Sequence, residues 1–120
     1  MLCNLKLQFS YKVNLLITVD PVGTLLSYSA VTPLRARIYF REPSPNCNYW
    51  ISITCDPKVY DSNDAVADSG GQWRDTPRIK ANIFHSTKYS HADFSDMMKE
   101  KILDTKSAED LLCIQLEKVK

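Results

Sequence analysis

The sequence predicts a mainly β fold, with α+β as its variant: an antiparallel β-sandwich or strongly curved sheet of five to six strands, with one helix near the C-terminus. Three observations carry that expectation. A long segment has apolar residues at every second position, turn residues recur at short intervals, and one late segment shows helical spacing. At 120 residues, 44% hydrophobic and 24% charged, the chain fits one domain, 1–120, with a core of its own.

From position 5 to 19 every odd residue is apolar: Leu5, Leu7, Phe9, Tyr11, Val13, Leu15, Ile17 and Val19. Period two places these side chains on one buried face of a strand. A straight strand of that length would span about 50 Å, wider than a domain of this size. It must therefore bend, coil or break, and Asn14 is the favoured place, because Leu16 beyond it makes the second face apolar too. Asp20-Pro21-Val22-Gly23 reads as a turn, since proline presets φ and glycine closes it.

Residues 24–32 are β-prone, Pro33 interrupts the ladder, and Leu34, Ala36, Ile38 and Phe40 then alternate. After the break at Glu42-Pro43-Ser44-Pro45-Asn46, the apolar Tyr49, Ile51, Ile53 and Cys55 alternate with Asn48, Trp50, Ser52 and Thr54, which reads as a further strand with the second set outward. From Asp56 to Pro77 the pattern dissolves into five aspartates, two adjacent glycines and two prolines, the signature of a long irregular loop. Arg78 to His85 reads as a strand. Ser90 can cap a helix carrying Phe94, Met97, Met98 and Ile102 on one face, and the tail from Ser107 suits either a helix or a strand, with a strand after a short helix preferred.

The near-neutral balance, +1 overall, excludes a bulk electrostatic attraction to nucleic acid or membrane. It conceals an asymmetry: residues 1–55 hold five basic and two acidic groups, residues 56–120 ten basic and twelve acidic. Lys6, Gln8 and Lys12 interrupt the apolar start, so the expectation is an intracellular, soluble chain with no signal peptide and no membrane partner. In that compartment Cys3, Cys47, Cys55 and Cys113 are expected as free thiols.

Motifs for chemistry are sparse. Asp68-Ser69-Gly70-Gly71 resembles the tetrapeptide around the nucleophilic serine of trypsin-like proteases, but both histidines, His85 and His91, lie downstream of it, which leaves the triad unfilled. Asp61, Asn63, Asp64 and Asp68 are oxygen-rich like a calcium loop, yet Val66 and Gln72 occupy the positions where an EF-hand needs Gly and Glu. Cys47, Cys55, His85 and His91 supply zinc-type donors without the tight Cys-x-x-Cys spacing. The expectation is accordingly a non-catalytic protein with no cofactor and no metal.

The favoured function is a protein-binding module that contacts its partner through the 56–77 loop. Tyr60, Trp73 and Arg74 are its contact residues, because these residue types dominate binding hot spots. The alternative is single-stranded nucleic-acid binding on a basic sheet face, with Lys6, Lys12, Arg35, Arg37 and Arg41 on phosphates and Tyr39 and Trp50 as stacking platforms. An outward Tyr39 and Trp50 would equally suit a homo-oligomer contact.

Overall fold

A computed structural model describes residues 13–22 and 44–120. Strands β1 (Val13–Val19), β2 (Cys47–Cys55) and β3 (Ile83–Thr87) form a parallel sheet in the order β1-β2-β3. Ile17 pairs with Ile51 and Val19 with Ile53 on one side of β2, and Ile53 pairs with His85 and Cys55 with Thr87 on the other. Helices α1 (Ser62–Gly70) and α2 (Asp75–Lys80) lie between β2 and β3. Then come α3 (Phe94–Lys99), a short antiparallel pair β4 (Lys101–Leu103) and β5 (Lys106–Ser107), and α4 (Ala108–Glu117). No helix among the described residues is long and apolar enough to cross a membrane.

This is a small α+β fold, not the antiparallel β-sandwich that the sequence predicts. Alternation reports that a strand has one apolar face, but it carries no information on the direction of the neighbouring strand. That direction is set by what lies between the strands, and the segment between β2 and β3 is helical. Asp61 ends the irregular stretch and caps α1: its carboxylate accepts from the Asn63 and Asp64 N–H groups at 2.7 and 3.0 Å, and the Asp64 carboxylate accepts from the Asp61 N–H at 3.0 Å. This reciprocal capping box satisfies donors that a helix start would otherwise leave bare. Of the aspartates that read as a loop, or as calcium ligands, Asp61 and Asp64 start α1 and Asp68 lies in its last turn.

The expected outward face of β2 is also corrected. Trp50, Ser52 and Thr54 are buried together with Ile51, Ile53 and Cys55, because the central strand of a parallel sheet is covered on both sides. Small hydroxyls are tolerated there because each is paired. Thr18 donates to Ser52 at 3.0 Å and accepts from the Trp50 indole N–H at 3.0 Å, while Thr54 donates to Asp20 at 3.2 Å. Ile51, Ile53, Cys55, Met97 and Ala108 form the core on the opposite face, with Leu15, Ile17, Val19 and Ile83 against it.

Two later boundaries move as well. Arg78 to Lys80 belongs to α2, and the strand begins at Ile83. The tail is a helix, because Ser107 and Asp110 form a second capping box: the Ser107 hydroxyl accepts the Asp110 N–H at 3.1 Å and the Asp110 carboxylate accepts the Ser107 N–H at 2.8 Å. The expected strands over 24–40, with Pro33, and the first half of the 5–19 strand lie outside the described residues.

Candidate functional site

Parallel strands all end at one edge, and in open α/β sheets ligands bind beyond those carboxyl ends. Here that edge is occupied by Asp20 directly after β1, by Thr54 and Cys55 at the end of β2, and by Thr87 at the end of β3 with the stretch that follows it to His91. Asp20 is 2% exposed. Its φ of 39° puts it in the left-handed region, where a non-glycine residue is strained and aspartate is among the better tolerated. The backbone is held there by its N–H, which donates to the Ile53 carbonyl at 2.7 Å.

The Asp20 carboxylate is almost fully partnered. Oδ1 accepts from the Cys55 N–H at 2.9 Å, the Gln72 Nε2 at 2.7 Å and the Thr54 hydroxyl at 3.2 Å. Oδ2 lies 2.6 Å from Nδ1 of His91. Burial pushes this carboxyl up, but the hydrogen bonds from Cys55, Gln72 and His91 together outweigh it and hold the group below the usual aspartate value. With an ionised acceptor facing it, Nδ1 of His91 is the donor of that pair.

His91 reaches the site because its loop is tied to the start of α1. Its backbone N–H donates to Asp64 Oδ1 at 2.8 Å, and the neighbouring Ser90 hydroxyl donates to Asp61 at 2.8 Å. The two acids of the capping box therefore also place the histidine. The stretch between α1 and α2 supplies the other wall. Gly71, at φ 74°, ends α1 and lets the chain turn back, Trp73 donates its N–H to the Pro21 carbonyl at 2.7 Å, and Val22 bridges Gln72. Arg74 donates Nε to the Thr54 hydroxyl at 3.0 Å and Nη2 to the Cys55 carbonyl. Burial first, and the Asp20 charge second, push the Cys55 thiol up. Asp20, Cys55 and His91 each bring a potential ligand atom to within 4.8 Å of the others.

Of the residues singled out for partner binding, Tyr60 is 55% exposed before α1, and Arg74 is half-buried on Thr54 and Cys55. Trp73 is 2% exposed, its ring centroid 5.4 Å from that of Trp50. Trp50, the expected stacking platform, is thus itself packed against a second indole. Lys6, Lys12, Arg35, Arg37, Tyr39 and Arg41 lie outside the described residues. Of the four zinc-type donors, Cys55 and His91 meet. His85 Nε2 instead lies 3.1 Å from Glu100 Oε2, an ion-pair distance without hydrogen-bond alignment.

Sequence reasoning passed over Asp20, reading it as a turn residue. A signal was present: an acid that directly follows a segment apolar on both faces sits at the end of a doubly covered strand, where a turn alone gives no reason to place a charge. Thr54 and Gln72 had no comparable signal. Compared with family models, curated proteins and solved structures, the chain matches none, so geometry alone carries the functional reading.

Proposed function

We propose that the chain is an enzyme of the hydrolytic class, acting on a small polar substrate at the carboxyl edge of the sheet, with Asp20 and His91 flanking the attacking water. The observation that supports this most is the Asp20–His91 contact: a carboxylate 1% exposed lies 2.6 Å from an imidazole 30% exposed. An ionised group in such surroundings costs several kcal/mol to desolvate, which a purely structural strand end does not require. Water is the attacking group on this reading, because three neighbouring side chains are otherwise engaged. The Cys55 thiol is held protonated, the Thr54 hydroxyl is committed to Asp20 and Arg74, and Ser90 donates to Asp61. Arg74 brings a positive charge to the same edge, which favours substrates carrying negative charge.

The test is turnover by the purified chain on a panel of carboxylic and phosphate esters. Asp20→Asn and His91→Gln should each lower the rate by about 100-fold or more while the fold, read by circular dichroism, is retained. Equal rates for both variants and the parent, or no hydrolysis of any class, would overturn the proposal.

Protein binding through residues 56–77 is a second reading, favoured by one observation: Val59, Tyr60 and Val66 are 84%, 55% and 68% exposed around the start of α1. On that reading Tyr60→Ala should weaken capture of the partner by about 2 kcal/mol.

A further inference from the structure

Asp20, Cys55 and His91 arrive at one point from three separate elements: the end of β1, the end of β2 and the loop before α3. They offer an oxygen, a sulfur and a nitrogen whose positions all fall within 4.8 Å of one another. A tetrahedral zinc ion with bonds of about 2.0 to 2.3 Å separates its ligand atoms by about 3.3 to 3.8 Å. The 2.6 Å Asp20–His91 contact would have to open by about 1 Å, the imidazole proton to move from Nδ1 to Nε2, and the cysteine side chain to rotate inward. We propose that these three side chains bind a zinc ion, leaving its fourth position open toward the solvent-exposed side of His91.

The donor set selects the metal. Magnesium and calcium take oxygen ligands, whereas a mixed thiolate, imidazole and carboxylate set suits a borderline-soft cation. The charges close as well: two positive charges on the ion meet one negative charge on Asp20 and one on a cysteine thiolate. Binding releases the cysteine proton to solvent, since a coordinating thiol is deprotonated. Supporting contacts are in place. Oδ1 of Asp20 is fixed by Cys55, Thr54 and Gln72, leaving Oδ2 to turn to the ion, and the His91 backbone is fixed by Asp64. Cys55 Sγ now rests 3.3 Å from Met97 Sδ, a weak contact that is lost at little cost. The inference rests on the hydrolytic reading only for what the ion would do, since an open zinc position lowers the pKa of a bound water to about 7.

The experiment is titration of the full chain with cobalt(II), a spectroscopic stand-in for zinc, followed by displacement with zinc. One equivalent should give the visible bands of a four-coordinate ion together with a thiolate-to-cobalt charge-transfer band, and zinc should abolish both. Cys55→Ser should remove the charge-transfer band, and Cys113→Ser, which alters an exposed thiol, should leave it intact. Should Cys55→Ser fail to fold, His91→Gln provides the same test by weakening cobalt binding at least 10-fold while sparing the thiolate band at saturation. Absence of the band in the parent, its survival in Cys55→Ser, or unchanged affinity in His91→Gln would overturn the site. Metal binding without ester hydrolysis sustains this site and sinks the hydrolytic reading. Hydrolysis that persists in chelator with no cobalt band does the reverse.

Discussion

Two regions of the molecule present the same pair of unusual features, and only one explains them. In the unit formed by β4, β5 and α4, Asp104 has a φ of 52° and Asp110 is held at about 2. Both follow from local structure. Asp104 sits in the exposed turn between β4 and β5, and Asp110 accepts from the Ser107 N–H, from Lys101 and from the Ser107 hydroxyl as part of a helix cap. At the carboxyl edge of the parallel sheet, Asp20 has a φ of 39° and a carboxyl also held below its usual value, but it is 2% exposed and caps no helix. Its partners come from β2, the α1–α2 stretch and the loop after β3. A local cap explains the first region. The second gathers three distant segments around one charge, which is the arrangement on which the proposed function rests.

The two regions differ most at Asp20. Asp20→Ala should destabilise the fold by about 3 to 5 kcal/mol, because it strands the Cys55 N–H, Gln72 and His91 without their shared acceptor and puts a Cβ-only residue in a left-handed conformation. Asp20→Asn keeps the shape and tolerates that φ, so denaturant titration of both variants separates charge from geometry. A loss under about 1 kcal/mol for Asp20→Ala would show that the cluster is a surface feature.

Ile53→Ala provides the apolar reference for the same strand, with an expected cost of about 2 to 4 kcal/mol for a side chain at 0% exposure in the core. Ser107→Ala should cost about 1 kcal/mol and act on α4 alone, leaving amide exchange in β1 and β2 unchanged, since a cap is a local device. Loss of protection across the whole sheet would contradict the division between the two regions.

Acid should act on the first region through Asp110. Asp110 titrates near 3.8 in the unfolded chain and at about 2 in the folded one, so its contribution is complete above 3.8 and fades as pH falls toward 2. Helical signal from α4 should therefore fall across that window, and Asp110→Asn should flatten the fall. An unchanged pH profile in the variant would assign the acid response to other carboxylates.

Residue order records local burial more directly than it records topology. The alternation around Ile51 and Ile53 correctly marks core, and Ile17 follows it partway, because burial of an apolar face leaves a direct imprint on residue order. The parallel direction of β2 and β3 left none, since it depends on the helices between them, and the helix start at Asp61 has the composition of a loop. Ser52 and Thr54 read as solvent-facing because their partners, Thr18 and Asp20, are 34 residues away. The site shares that property: every contact to Asp20 from Gln72 or His91 joins residues 52 or 71 positions apart. Local devices such as the Ser107 cap are written in four consecutive residues, whereas a site assembled from strand ends is written in the topology.

The claim that the carboxyl edge is the working surface is tested most directly by amide chemical-shift mapping of the full chain against a library of small polar and anionic compounds. The account predicts that binding compounds shift Cys55, Gln72, Arg74 and His91 together, and that these shifts vanish in Asp20→Asn. Shifts confined instead to the groove lined by Leu15, Leu112, Leu116 and Val119 at α4 would contradict it.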